Sequence, residues 1–419
     1  MFVTTTSISI ARAGSRMYPA ARVSLRFRPS ARSHSSGYRL YHATTGSTCL
    51  DETTRGLRPG LCSTLHPRAS RLYVSSSLYA HRVSVTAAQR RRCPSSAMST
   101  IAGPRTQPID APLTQFATFI VLSVERNADA IRTVRSTLAK VSDVVKNVAF
   151  RDASAQLTCT VGIGSDVWPE LTRQPKPREL HPFREIRGAV HTAVSTPGDL
   201  LLHIRAERRD IAFELERQLF DLLGDAVRVV DETVGFRYFD VRDLLGFVDG
   251  TANPVGPDVP AATLVTAQDD GGVAAEASVG GSYVVVQKYV HDMASWGRLS
   301  TEAQEAIIGR RKFDNVELDD APPGKQRSHK TLATIEDENG DEYAILRDNM
   351  PFGSPGSGEF GTYFIGYSAR LWVIERMLER MFVGDPPGLH DRILDFSRPL
   401  TGTTFFVPPV SLLESLDED

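Results

Sequence analysis

Apolar residues recur along this chain with two different periods, and their order gives a first account of the fold. From Phe116 to Val124 nearly every position is apolar or β-branched, as in a buried strand. After Asn127, the residues Ile131, Val134, Leu138, Val141, Val145 and Val148 fall at three- and four-residue spacings and predict an amphipathic helix. Residues 157–163 return as a strand, and 169–187, rich in proline and charge, form a loop. Then come a strand at Leu200–Ala206, a helix at 210–223 and a strand at 226–236. The order is β-α-β-β-α-β, the ferredoxin-like arrangement.

A second stretch repeats that order. Residues 283–290 read as a strand and Thr301–Ile308 as a helix that opens after Ser300 as its N-cap. Strands follow at 342–346 and 361–367. The helix Leu371–Phe382 carries Ile374, Met377, Leu378 and Met381 along one side, and Thr403–Val407 closes the set. The duplication predicts an α+β protein of two ferredoxin-like modules, 115–240 and 282–410, whose antiparallel sheets face one another. The connecting segment 241–281 is rich in glycine and proline, and long loops within compact domains often carry function. Residues 99–114 read as a linker and 411–419 as an acidic tail.

Charge changes the picture at the N-terminus. Residues 1–98 hold fifteen Arg, no Lys and only Asp51 and Glu52, a net +13. Removing them from the chain totals of 48 basic and 50 acidic residues leaves the body at −15. An Arg- and Ser-rich, acid-poor leader has the composition of a mitochondrial or plastid transit peptide. The alternatives are a basic nucleic-acid-binding arm, or translation from Met98 to give a cytoplasmic protein. An acidic body without a GxxxxGK[ST] pattern argues against nucleic acid as a partner. No apolar run approaches the ~18 residues of a membrane span. Cys49, Cys62 and Cys93 lie in the leader, so the body keeps only Cys159, within a strand, where a buried structural thiol is expected. That excludes a cysteine-ligated zinc or iron–sulfur site in the body.

Three segments offer chemistry. In the connection stands Gly246-Phe247-Val248-Asp249-Gly250-Thr251-Ala252-Asn253-Pro254, where an aspartate is held between two turn glycines. Taken alone, Asp249 reads as a turn residue satisfying its own backbone. Ser328-His329-Lys330-Thr331 supplies a histidine, and Leu346-Arg347-Asp348-Asn349-Met350-Pro351-Phe352-Gly353 ends an apolar run with polar groups. Singly, His329 reads as a hydrogen-bonded core or surface residue and Arg347 as a surface ion-pair partner.

Together these segments resemble the dye-decolourising peroxidase family, in its mainly bacterial branch. Arg398-Pro399-Leu400-Thr401-Gly402, following Ile393-Leu394-Asp395-Phe396, fits as well, and the resemblance runs from about Phe116 to Val407. It implies a b-type haem between the modules with His329 as the axial ligand. Asp395 is the candidate acceptor for the other ring nitrogen, which would fix the tautomer and raise the ligand's basicity. Asp249, Arg347 and Asn349 match the family's distal positions, and Arg310 is a candidate partner for a haem propionate. The implied partners are hydrogen peroxide and a small reducing substrate, and the family often forms homo-oligomers.

The implied activity is peroxide reduction coupled to one-electron oxidation of dyes, phenols or similar donors. Asp249 would move a proton between the peroxide oxygens. Arg347 would stabilise charge on the departing one. A dye is too large to reach a buried haem, so Trp296 and Trp372 are candidates for relaying electrons; packing is the alternative for both. Two rivals stand beside this reading. One is a haem-binding protein that stores, delivers or strips iron without turnover, and the other is a haem-free electron carrier or regulator. The first uses His329 but has no purpose for Asp249 with Arg347, and the second has no use for His329.

Overall fold

The computed structural model describes residues 105–269 and 277–418. The proposed targeting extension, 1–98, lies outside the described residues, as does the start of the adjoining linker. The first half comprises β1 (Phe116–Val124), α1 (Ala128–Ala149), β2 (Thr158–Gly164), a short α2 (Trp168–Thr172), a small hairpin of β3 (Ile186–Arg187) and β4 (Thr192–Ala193), then β5 (Leu200–Ala206), α3 (Arg209–Leu223) and β6 (Val227–Phe236). After α4 (Asp258–Thr263) the second half runs β7 (Ser282–His291), α5 (Met293–Trp296), α6 (Thr301–Ile308), α7 (His329–Ala333), β8 (Leu346–Arg347), β9 (Met350–Ser354), β10 (Glu359–Ser368), α8 (Leu371–Phe382), β11 (Ser397–Pro399), β12 (Thr403–Val407) and α9 (Val410–Glu414). Among the described residues no helix is long and apolar enough to cross a membrane.

Local chemistry accounts for the principal helices. Asn127 caps α1 by accepting a hydrogen bond from the Ala130 amide at 2.9 Å, and Asp129 sits at the positive end of the helix dipole. Val134, Leu138, Val141 and Val148 of α1 are buried, with Ile131 and Val145 packed at the edge of the same core. Ser300 caps α6 as expected, and Gly309 ends it with a left-handed φ of 90°.

Among the described residues every strand pair is antiparallel, and the order β6-β1-β5-β2-β12-β7-β10-β8 is continuous. The halves join where Ile163 and Gly164 of β2 pair with Phe406 and Phe405 of β12. They also face one another: Phe119, Val121 and Leu201 from the first half pack with Val284, Val286, Tyr363, Ile365 and Tyr367 from the second. The Phe119 and Tyr363 rings stack at 4.1 Å. Strand alternation sends the other face outward, so Ile120, Leu122 and Val285 join the core beneath the helices. Cys159 is buried in that core, and burial pushes its thiol pKa up to about 12, so it is inert as expected.

One sequence expectation needs correction. The strand at 342–346 is reduced to β8, with Glu342 in an isolated bridge to Glu336; the ribbon beside β10 is β9. The second module keeps the six-element order, its strands β12-β7-β10-β8 repeating the arrangement β6-β1-β5-β2 of the first, with α7 and a cavity wall inserted between α6 and β8. The described end of the linker is docked: the Gln107 amide donates to the Val161 carbonyl at 2.9 Å and accepts from its amide at 2.7 Å. The acidic tail is likewise packed, with Leu412, Leu413 and Leu416 buried in the core that holds α1.

Candidate active site

Strand alternation also builds the site. On β7, Val284 and Val286 face the opposing sheet, while Gln287, Tyr289 and His291 lie along a cavity wall. On β10, Tyr363 and Ile365 face the sheet, while Thr362 and Phe364 line the cavity. Ile374, Met377, Leu378 and Met381 of α8, the apolar side read from the sequence, form another wall. The cavity, counted together with the open solvent at its mouth, spans about 1350 Å³. All of its lining comes from residues 243–397; the first half contributes none. The space between the facing sheets is filled by stacked aromatic rings, so the cavity lies within the second half, roofed by the connecting segment.

Asp249, Arg347, Asn349, His329 and Arg310 all line this one cavity. Gly246 and Gly250 bracket the aspartate with φ of 95° and 72°, backbone that other residues rarely adopt. Asp249 Oδ1 accepts from the Gly250 amide at 2.7 Å and from Asn349 Nδ2 at 3.3 Å. Asn349 is fixed in turn, because its Oδ1 accepts from the Ile365 amide at 3.2 Å. The partly buried guanidinium of Arg347 makes no ion pair among the described residues, and its Nη2 lies 4.0 Å from Met377 Sδ. Burial draws its pKa down, while the charges of Asp249 and Glu342 act the other way.

Two histidines reach the cavity, and hydrogen bonding separates them. His291 spends both ring nitrogens on hydroxyls, Ser397 Oγ at 2.8 Å and Thr362 Oγ1 at 2.9 Å, and burial pulls its pKa down to about 4. His329 pairs only its Nδ1, with Asp391 Oδ2 at 2.6 Å. Burial alone would lower the His329 pKa, but the Asp391 carboxylate outweighs it and holds the ring above its ordinary value. Nε2 of His329 has no partner among the described residues.

The expected acceptor, Asp395, is therefore corrected to Asp391. Asp391 is fully buried, and its Oδ1 caps the turn Arg392–Asp395 by accepting from the Ile393 amide at 3.0 Å. That turn carries Asp395 away from His329, to pair with His191, His390 and Arg392. Arg310 bonds the Asn315 carbonyl at 3.2 Å and pairs with Glu317. Trp296 is buried, donates to the Leu245 carbonyl at 2.9 Å and meets the cavity-lining Phe247 edge-on. Trp372 is 38% exposed and packs edge-on against Tyr343.

Three further residues escaped sequence reasoning. Asn253, inside the quoted motif, brackets the Arg347 peptide: its Nδ2 donates to the Arg347 carbonyl at 2.7 Å and its Oδ1 accepts the Arg347 amide at 2.9 Å. Asp243, six residues before Asp249, lines the cavity, and burial raises its pKa to about 7. Arg205, from β5, meets the buried Asp348 at 3.1 Å, directly between Arg347 and Asn349. Only Asn253 carried a sequence signal, its place in the motif.

This cavity fits the haem that the resemblance implies. Its walls are apolar side chains suited to a flat macrocycle, with one imidazole that has a free nitrogen. Arg310 and Lys330 also line it and supply positive charge for propionates.

Known proteins agree. Residues 106–237 match the family model described as Dyp-type peroxidase, N-terminal, and residues 240–412 match Dyp-type peroxidase, C-terminal. The dye-decolorizing peroxidase of Mycobacterium tuberculosis is 52% identical over 309 residues, covering 74% of this chain and 89% of that one. DyPB from Rhodococcus jostii RHA1 superposes with a TM-score of 0.70 at 50% identity, covering 75% of this chain and 99% of that one. A variant of the same Rhodococcus protein, solved in complex with haem, gives the same TM-score, identity and coverage. The chain belongs to the dye-decolourising peroxidase family.

Proposed function

We propose that the chain is a haem peroxidase in which His329 Nε2 would hold the haem iron and Asp249, Arg347 and Asn349 act on hydrogen peroxide. One observation carries the reading. A single apolar cavity holds an imidazole backed by a buried carboxylate, and a carboxylate, guanidinium and amide from different elements. Bound haem supplies the two electrons that peroxide takes up, and the reducing substrate returns them singly.

The chain's own residues have distinct tasks. Asp391 holds the Nδ1 proton of His329, which keeps Nε2 free and its lone pair electron-rich. Asp249 has Oδ1 occupied by Gly250 and Asn349, so Oδ2 is the atom that takes a proton from one peroxide oxygen and returns it to the other. Arg347 stays charged despite burial and stabilises the oxygen that leaves as water. Asn349 keeps the carboxylate oriented. Arg310 and Lys330 would hold the propionates, Arg310 by exchanging Glu317 for one of them. The iron-storage rival leaves Asp249 and Arg347 without a purpose.

Peroxide-dependent oxidation of a dye by the haem-loaded protein tests this. Arg347→Leu should lower kcat/KM by about 10²–10³-fold and Asp249→Ala by about 10²–10⁴-fold. His329→Ala should lose the Soret shift seen on haem binding. Wild-type turnover no faster than free haem would refute the activity. Two further proposals go with this reading. Residues 1–98 direct the protein to a mitochondrion or plastid, which a fluorescent fusion of that segment checks. The chain self-associates through β6, at the end of the strand order, where Val229, Val230 and Val234 are exposed; sedimentation of a Val230→Lys variant checks that.

A further inference from the structure

Outside the cavity, one side-chain cluster has no part in peroxide chemistry. His191, in the β3–β4 hairpin of the first half, and His390, beside Asp391 in the second, both direct Nε2 to Asp395 Oδ1, at 3.0 and 2.9 Å. Their rings lie edge-to-face with centroids 4.8 Å apart. All three side chains are partly exposed, so solvent ions reach them. We propose that His191, His390 and Asp395 form a binding site for a divalent transition-metal ion of the zinc type, clamping the β3–β4 hairpin to the segment that carries Asp391.

The donor set and spacing carry this assignment. Two imidazole nitrogens and a carboxylate oxygen suit Zn²⁺ and its neighbours, and three protein ligands leave a fourth position for water. The three ligand atoms lie within 4.8 Å of one another. In a tetrahedral site with bonds of about 2.0–2.1 Å the ligand atoms stand about 3.3 Å apart, so the two nitrogen–oxygen distances already match within a few tenths of an ångström. Without an ion, both imidazoles converge on one carboxylate oxygen, and an ion would replace these two hydrogen bonds with three coordinate bonds.

Arg392 is the opposing charge. Its Nε contacts Asp395 Oδ2 at 2.5 Å, leaving Oδ1 to the histidines, and its half-exposed side chain can swing aside. The segment is further held by Gln326, whose Nε2 donates to the His390 carbonyl at 2.9 Å. Because His390 and Asp391 are consecutive, an ion here would restrain the residue that orients His329 while lying outside the cavity.

The test uses the haem-loaded protein, stripped with a chelator and then dialysed against micromolar ZnCl₂. Expected are one zinc per chain in addition to iron, at least a tenfold loss of affinity in His191→Gln and in His390→Gln, and tighter binding in Arg392→Ala. A measurement on the wild type guards against misfolded variants: zinc should protect His191 and His390 from histidine acylation, read by mass spectrometry. No retained zinc, affinity unchanged in folded His191→Gln, or acylation of both histidines unaffected by zinc would each overturn the site.

Discussion

Asp391 and Asp395 stand four residues apart, and only one of them meets His329. Both are acidic, both flank the same short turn, and the sequence offers no means of choosing between them. The choice depends on which way a single 3₁₀ turn points its ends, and Asp391 is selected because it caps that turn from inside the core. By contrast, Asp249, Arg347, Asn349 and His329 were legible, since each sits in a contiguous motif whose neighbours fix its place. Asp243 was not, because its character comes from burial rather than from its neighbours in sequence. A carboxyl whose pKa rises on folding stabilises the native state when protonated. That contribution is complete below the unfolded value of about 3.9 and is lost as the pH climbs through about 7. Haem-free protein should therefore lose stability across that interval, and Asp243→Asn should flatten the decline. Urea midpoints measured against pH for both proteins give the comparison; parallel curves would count against it.

At the scale of elements, helices and long strands followed their apolar periods closely, whereas the 342–354 region did not. There an apolar run ends on β8, only two residues long, because Asn253 supplies from a side chain the donor and acceptor that a neighbouring strand would otherwise provide. A pairing made by a side chain ninety-four residues away leaves no local pattern. Asn253 therefore ties the loop bearing Asp249 to the strand bearing Arg347. Removing it in Asn253→Ala leaves two backbone groups without partners, at a cost of about 1–3 kcal/mol each where water cannot replace them. Peroxidase kcat should fall well below wild type while haem affinity changes little; stopped-flow kinetics and haem titration separate the two effects. Equal losses in both would mean that the tie serves folding alone.

For the molecule as a whole, the duplicated topology was readable, but the seam between β2 and β12 was not. Two modules read in sequence as separate units share one hydrogen-bonded sheet and a common aromatic layer. The described body should accordingly unfold in a single cooperative transition, with calorimetric and van't Hoff enthalpies in agreement. Two resolved calorimetric peaks would contradict this. Arg205 reinforces the union by reaching across to Asp348, with both side chains almost fully buried. Arg205→Met strands that carboxylate and should destabilise the protein by about 3–5 kcal/mol in urea unfolding. The active site lies in one half, yet a residue of the other half sits beneath it.

The thioether of Met377, next to the Arg347 guanidinium, has a consequence for the working life of the enzyme. If hydrogen peroxide is received beside Arg347, as proposed, this sulfur is open to conversion to the sulfoxide, with water as the other product. The new oxygen would accept a hydrogen bond from Arg347 and draw the cation away from its task. Ageing in excess peroxide should then follow the gain of one oxygen on Met377 by mass spectrometry, and Met377→Leu should survive more turnovers before it fails. An unchanged turnover number in that variant would place the wear elsewhere.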